Sequence, residues 1–202
     1  AGDKLSYLDE ETGKHIAAEV LIITLGYSNY TLAVALPSQK TEDVIEGLVI
    51  LITRLGGVTA AIVPDNMKSA VTKPDRYEPV INEKFLDMAN YYGLAVLPAR
   101  PGKPKDKAKV ETHVNVLYKQ VYARLRNRTF HSLEELNQAL SEKVDLLNDA
   151  VMQDYGVSRK MLLERDERPA SRGAGGGRRA RSRRGAFHLS NHDWSLAVGV
   201  MR

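Results

Sequence analysis

Residues 97–118 organise the chain, and they read Leu97-Pro-Ala-Arg-Pro-Gly-Lys-Pro-Lys-Asp-Lys-Ala-Lys-Val-Glu-Thr-His-Val-Asn-Val-Leu-Tyr118. The stretch starts as the end of an apolar strand and becomes a loop, because Pro101 and Pro104 lack an amide donor and restrict the residues before them. A helix with an early carboxylate, Glu111, follows. Four lysines precede that acid: Lys103, Lys105, Lys107 and Lys109. This pattern suits a phosphate-binding loop beside a metal-binding acid, although a solvated basic loop before an ordinary helix fits the local composition as well.

Composition limits the classes of protein to consider. A chain of 202 residues with 43% hydrophobic residues is long enough for one domain with a proper core. It has no cysteine, which excludes disulfides, thiolate catalysis and Cys-ligated zinc. The first residues do not resemble a signal peptide, and no apolar run approaches the roughly 18 residues of a membrane span. We therefore expect a cytoplasmic protein without membrane partners.

The positive charge is concentrated at one end of the chain. Residues 170–202 hold seven Arg and one Asp, a net charge of +6, so the overall +4 leaves −2 for residues 1–169. The Gly/Arg composition of 170–202 is typical of disorder, because it offers too little apolar surface for a core. We expect either a basic arm on nucleic acid or, as the favoured alternative, a frame-altered end without a role.

The remaining pattern predicts an α/β fold. Strands over Lys4–Asp9, Ile16–Leu25 and Tyr30–Leu36, joined by short turns, predict an antiparallel meander. Helices and apolar parallel strands then alternate. They comprise helix 41–55, strand 58–63, helix 81–92, strand 94–97, a long helix 107–128, a helix opened by the capping box at Ser132 and Glu135, and a short helix 158–165. This βββ-α-β-α-β-α-α order is the ribonuclease-H-like arrangement.

Two carboxylates lie where such a fold places ligands. Asp65 follows the buried strand 58–63, and in open α/β sheets ligands bind beyond the carboxyl ends of strands. Glu111 is next to Val110, which belongs to the buried stripe of its helix, so it lies on the margin of that stripe. Taken alone, Asp65 fits an Asx turn that ends a strand, and Glu111 fits a surface acid favoured by the helix dipole. Together they suit Mg²⁺ or Mn²⁺ for two-metal phosphodiester chemistry, with one more carboxylate expected from the first strand.

Several long motifs resemble a known family. Val63–Val71, Tyr77–Asn82 and Tyr92–Glu111 resemble IstA, the large transposase subunit of a bacterial insertion-sequence family. Gly26–Tyr30 and Arg128–Leu133 extend the resemblance, which covers roughly residues 1–170.

The resemblance implies an integrase-type DDE catalytic core that cleaves and transfers DNA strands. Asp65 matches the second acid and Glu111 the third, and both would bind Mg²⁺ or Mn²⁺. It also implies self-assembly on transposon ends and an AAA+ ATPase partner, IstB, in a bacterial cytoplasm. From charge clustering and resemblance we expect six residues to contact DNA: Asn66, Lys68, Lys103, Lys105, Lys107 and Lys109.

Two departures from the family pattern affect these expectations. The family's first catalytic Asp would lie two residues before Ala1, and Asp3 is about 13 Å away from that position along a strand. We therefore expect this chain to be inactive or severely impaired. The family-like sequence also stops after Pro169. The expected organisation is a core over 1–128, a helical extension over 129–169 and a disordered tail over 170–202. The rival functions are a non-catalytic nucleic-acid-binding module and an assembly fragment.

Overall fold

A computed structural model describes residues 4–9, 12–64, 67, 69–73, 80–97, 115–168 and 195–201. The strands are β1 (Ser6–Leu8), β2 (His15–Ala17), β3 (Glu19–Leu25), β4 (Thr31–Leu36), β5 (Ala61–Pro64), β6 (Val71–Lys73), β7 (Val80–Ile81), β8 (Ala95–Val96) and β9 (Ser195–Met201). The helices are α1 (Thr41–Leu55), α2 (Glu83–Tyr92), α3 (115–125), α4 (Leu133–Asp149) and α5 (Arg159–Leu162, continued by a π-helical turn, Leu163–Glu167). No helix in the described part of the chain has the length and hydropathy to cross a membrane.

Five strands form the main sheet, in the order β4-β3-β9-β5-β8. β3 runs antiparallel to β4 and to β9, whereas β9, β5 and β8 run parallel to one another. The sheet therefore has an antiparallel half and a parallel half, which meet at β9. Two two-stranded sheets, β1-β2 and β6-β7, lie outside it.

Helices cover both faces of the sheet, and alternate residues of β3 show how. Leu21 and Ile23 belong to the core shared with α1 and α2, whereas Val20 and Ile22 belong to the core shared with α3 and α4. This is the two-residue period of a strand buried on both sides. At Gly47, α1 passes so close to the sheet that an added Cβ would lie 2.7 Å from the Leu36 side chain. The result is a three-layer α/β/α architecture.

The predicted meander is divided between two sheets. The strand predicted over Ile16–Leu25 is broken at Ala18, whose amide donates to the Leu5 carbonyl at 2.8 Å. β1 consequently pairs only with β2, and β3 pairs with β4 in the main sheet. The prediction of antiparallel pairing is correct, but the three consecutive strands do not share one sheet.

The prediction of a disordered tail is wrong for Ser195–Met201, which form β9 at the centre of the main sheet. These mostly apolar residues are too few to make a core alone, which is why composition predicts disorder. The argument fails because they join the core formed by the rest of the chain. They are stabilised by pairing with β3 on one side and β5 on the other. Residues 169–194 lie outside the described part of the chain.

Helix boundaries show which local signals are reliable. Ser132 accepts a hydrogen bond from the Glu135 amide at 3.1 Å, as the capping box predicts, and the Glu135 carboxylate accepts from the His131 amide at 2.7 Å. Thr41 has the residue type of a cap for α1, but the N-cap position falls on Lys40, and no side chain caps it.

In α3 the buried residues Leu117, Val121 and Leu125 recur every four positions. A regular helix has 3.6 residues per turn, so side chains four positions apart move gradually around the helix and away from one face unless the helix is underwound. The π-helical turn Tyr118–Tyr122 supplies that underwinding. Tyr118 stacks on the buried Tyr122 with ring centroids 4.6 Å apart, which fits a packing role for both rings.

Candidate functional site

The structure describes the elements around the predicted site rather than its side chains. All eight predicted site residues lie outside the described ranges: Asp65, Asn66, Lys68, Lys103, Lys105, Lys107, Lys109 and Glu111. The site is therefore built from the strands and the helix next to them in the chain, namely β5, β8 and α3.

β5 ends at Pro64, the residue before Asp65. It is central in the parallel half of the sheet, and its Ile62 side chain is completely buried. Ala61 and Ile62 pair in parallel with Ala95 and Val96 of β8. The Leu97 amide donates to the Ile62 carbonyl at 2.9 Å, so this pairing continues to the last described residue before the lysine loop.

Because β5 and β8 are parallel neighbours, their carboxyl ends lie at the same edge of the sheet. The sequence that follows β5 begins with Asp65, and the sequence that follows β8 leads into the lysine loop. In sheets of this kind, ligands bind at that edge. The segment that carries Asp65 and the segment that carries the four lysines therefore begin at the ends of two adjacent strands. The sequence alone does not establish this adjacency.

α3 lies on one face of the same sheet. Its Leu117 and Val121 side chains share a buried core with Val20 and Ile22 of β3. Asn115, its first described residue, is four positions after Glu111 in the sequence. The helix that follows the predicted third acid is thus docked on the sheet that carries the predicted second acid.

One more carboxylate is expected from the first strand. β9, which lies between β3 and β5, does not supply one, because its sequence, Ser-Leu-Ala-Val-Gly-Val-Met, contains neither Asp nor Glu. Among the residues that the structure describes, no three His, Asp or Glu side chains are grouped to hold a metal ion. Two carboxylates at Asp65 and Glu111 offer the oxygen ligands that Mg²⁺ prefers, but this pair is one acid short of the expected set.

Sequence reasoning missed a buried carboxylate at the end of α5. Glu167 is 4% exposed and accepts hydrogen bonds from the amides of Tyr27 and Ser28 at 3.1 and 3.2 Å. The Ser28 hydroxyl also donates to it. Three donors compensate for burial of the charge, and they fix the end of the helical extension to the β3–β4 turn. The contact is structural, and no local sequence signal identifies it.

Two asparagines of α4 contact the outer edge of the sheet. The Asn137 amide group accepts from the Ala35 amide at 2.7 Å and donates to the Ala35 carbonyl at 3.1 Å. Asn148 accepts from the Thr31 amide at 3.1 Å and donates to the Thr31 carbonyl at 2.7 Å. These side chains replace a neighbouring strand and cover an edge that would otherwise be open to pairing.

Charged side chains of α1 and α4 lie near the start of β4. Tyr30, immediately before β4, packs against the core. Its burial, and secondarily the nearby Asp145 carboxylate, raises the pKa of the phenol. Asp145 of α4 also accepts two hydrogen bonds from Arg54 of α1, at 2.7 and 2.8 Å. This ion pair joins the helices on opposite faces of the sheet.

The strand order, the helices on both faces and the shared carboxyl edge of β5 and β8 define a ribonuclease-H-like fold of the integrase-core type. Solved structures agree: the catalytic core domain of BIV integrase matches with a TM-score of 0.57 and 17% identity, over 84% of this chain and 99% of that one. A chain of the simian T-cell lymphotropic virus intasome matches with a TM-score of 0.55 and 17% identity, over 80% of this chain and 52% of that one.

The curated relatives are transposases, and the chain is a homologue of these insertion-sequence proteins. It is 41% identical over 170 residues to the putative transposase y4uI of Sinorhizobium fredii, covering 84% of this chain and 33% of the relative. It is 41% identical over 172 residues to a putative transposase for insertion sequence IS408 of Burkholderia multivorans, covering 85% and 33%. The chain thus spans about a third of the length of these relatives. No protein-family model matches it.

Proposed function

We propose that this chain contains the catalytic core of an insertion-sequence transposase that cleaves and joins DNA strands. The observation that supports this most directly is the shared edge of β5 and β8, where the segments carrying Asp65 and the lysine loop begin. The homology to transposases and the integrase-type fold point the same way. A bacterial cytoplasmic location follows from this proposal, since the DNA substrate is there.

In this proposal Asp65 and Glu111 hold Mg²⁺ or Mn²⁺. Their places in the sequence support this proposal: Asp65 directly follows β5, and Glu111 lies four positions before Asn115, the first described residue of α3, which packs on the same sheet. A bound divalent ion would supply activation of a water or 3′-hydroxyl and stabilisation of the leaving oxygen. Asn66, Lys68 and the lysines of residues 103–109 would hold the DNA phosphates in place.

Assembly is part of the same proposal. We expect the chain to form homo-oligomers on transposon ends and to act with an AAA+ ATPase helper of the IstB type.

Cleavage of supercoiled plasmid with Mn²⁺ tests the catalytic proposal. Because the strand beside β5 supplies no third acid, we expect weak nicking from the chain itself, and none above background from Asp65→Asn or Glu111→Gln. Asp87→Asn, at an exposed position on α2, is the matched control and should leave nicking unchanged. Nicking that survives both site substitutions would refute the assignment.

The absence of an acid in β9 favours a second candidate, a nucleic-acid-binding module without chemistry. Salt dependence of DNA affinity with chelator present examines binding separately from cleavage. Replacing Lys103, Lys105, Lys107 and Lys109 by Ala should lower the slope of log affinity against log salt by about 0.9 for each phosphate that the protein no longer neutralises. A control set with equal charge loss, Lys14, Lys40, Lys84 and Lys160 to Ala, should change the slope little. Equal slopes for both sets would exclude the loop as the DNA-binding element.

A further inference from the structure

The exposed face of α3 and the turn that follows it carry charge of one sign. Residues 115–133 contain four Lys or Arg side chains and neither Asp nor Glu. All four of these residues are exposed, and we call them the arginine patch: Lys119, Arg124, Arg126 and Arg128. Because residues 1–169 as a whole carry a net charge of −2, the patch is a local excess of positive charge on an acidic domain.

The arginine patch is not neutralised by neighbouring acids. Elsewhere in the described ranges, surface cations form ion pairs with carboxylates: Lys4, Arg54, Lys84, Lys160, Arg165 and Arg168. Within those ranges, no ion pair involves a residue of the patch. The next acids along the chain are Glu134 and Glu135, and Glu135 already accepts the His131 amide at 2.7 Å. Unpaired like charges repel one another, so an anionic partner that spans them is bound favourably.

The backbone that carries the patch is held firmly against the core. Leu125 and Phe130, on either side of the turn, are 0% and 1% exposed. The Arg128 amide donates to the Leu125 carbonyl at 2.9 Å, and the Phe130 carbonyl accepts from the Leu8 amide of β1 at 2.8 Å. The Arg128 guanidinium lies over the Phe130 ring, 5.1 Å from its centroid. A guanidinium stacked in this way keeps its planar N–H edge available for bidentate binding of a phosphate.

The rest of the surface around the patch limits the kind of partner. The described residues 115–133 expose no large apolar side chain. Stable protein interfaces have an apolar centre, membrane-surface helices have an apolar face, and single-stranded nucleic acids bind through exposed aromatic rings. Contact with the backbone of a duplex needs none of these and uses Arg and Lys on phosphates.

We propose that the arginine patch binds the phosphate backbone of double-stranded DNA, as a docking surface separate from the lysine loop. The choice of DNA rests on the proposed function. In the sequence the lysine loop lies before α3, whereas most of the patch lies at the end of that helix. Arg126 is eleven positions after Asn115, which is about 16 Å along a helix, or roughly five base pairs of duplex at about 3.4 Å each. The patch would therefore hold DNA away from the reacting phosphate and carry no chemistry.

DNA binding with chelator present tests the patch separately from cleavage. Fluorescence anisotropy with a labelled duplex of about 30 base pairs gives the slope of log affinity against log salt. Replacing the four patch residues by Ala should lower that slope by about 0.9 for each phosphate no longer neutralised, and by at least about 2 in all. The control set removes the same charge and should change the slope little: Lys14, Lys40, Lys84 and Lys160 to Ala. Replacing the three arginines by Lys should keep the slope but weaken binding, because Lys does not bind phosphate in the bidentate way.

Equal slopes for the patch set and the control set would overturn the proposal. An equal loss of slope on the single strand of the same sequence would overturn the assignment to duplex. If the fourfold variant loses its circular dichroism spectrum, Arg126→Glu alone decides, and an unchanged slope for that variant overturns the proposal.

The same experiments separate this inference from the proposed function. A lower slope for the patch set, with nicking unaffected by Asp65→Asn and Glu111→Gln, would refute the catalytic site and leave the patch established. A lower slope for the lysine-loop set alone would refute the patch and leave the proposed function intact.

Discussion

The two halves of the main sheet are completed in different ways. In the antiparallel half, β3 and β4 are joined by a short turn, and the outer edge of β4 is covered by two asparagines of α4. In the parallel half, β5 depends on β9, a strand from the far end of the chain. The pairing of β3 with β4 thus comes from nearby sequence, although the other edge of β3 is also paired with β9. The parallel half, where the proposed site lies, is completed by main-chain pairing over a long sequence separation.

The largest expected effect comes from breaking the parallel half at Val198. Val198→Asp places an unpaired charge in the core between β9 and α1, and such charges cost about 3 to 5 kcal/mol. Urea unfolding should show a loss of that size. Val198→Ile keeps the residue apolar and serves as the control, with a change of about 1 kcal/mol. A loss below about 1 kcal/mol for the Asp variant would show that β9 does not contribute a core strand.

A smaller effect is expected at the β4 edge. Asn148 is 1% exposed, and Asn148→Ala leaves the amide and carbonyl of Thr31 without their partner. Each unsatisfied buried group costs about 1 to 3 kcal/mol, but water can reach an opened edge, so we expect a total of about 2 to 3 kcal/mol in the free energy of unfolding. Asn137→Ala, at a less buried position, should cost less. The reverse order of the two variants would contradict this account of the edge.

Glu167→Gln should have a moderate effect. The substituted amide keeps one acceptor oxygen but replaces the other by a donor, which then faces either the Tyr27 amide or the two donors of Ser28. Hydrogen bonds to charged groups contribute about 1.5 to 3 kcal/mol, and part of this should be lost. Thermal unfolding measures the change, and Glu164→Gln on the exposed side of the same segment is the control. Equal unfolding temperatures for the two variants would show that the hydrogen bonds of Glu167 do not stabilise the fold.

The smallest expected effect is on the free energy of unfolding at alkaline pH. The pKa of Tyr30 is raised in the folded state, so its stabilising contribution is complete below the ordinary value of 10.0 and is lost as the pH rises through the folded pKa. Unfolding free energy should therefore fall more steeply above pH 10 in the parent chain than in Tyr30→Phe. Identical pH profiles for the two proteins would contradict the assigned burial.

Sequence patterns predicted the parts of the fold that are specified locally. The apolar period of α1, the capping box of α4 and the buried character of β3 and β5 all appear in the structure. β9 could not be predicted, because seven mostly apolar residues after a Gly/Arg-rich segment carry no signal for a distant partner. Asn137 and Asn148 were missed for a similar reason: polar residues on a helix face look solvent-exposed until the neighbouring strand edge is known.

The candidate site could be predicted only as a set of residues. A strand end, a helix start and the resemblance to transposases predict Asp65 and Glu111, and both residues lie outside the described ranges. The structure adds the parallel pairing of β5 with β8 and the docking of α3, neither of which periodicity can establish. It also adds β9, a neighbour of β5 whose residues include neither Asp nor Glu.

Direct titration of Mn²⁺ tests the central claim, that Asp65 and Glu111 form a cation site at the carboxyl edge of β5 and β8. Calorimetry on the parent chain should detect a Mn²⁺ site, and Asp65→Asn or Glu111→Gln should each weaken binding at least tenfold, while Asp87→Asn should not. Binding that is unchanged by both site substitutions, or equally reduced by the Asp87 control, would contradict the claim.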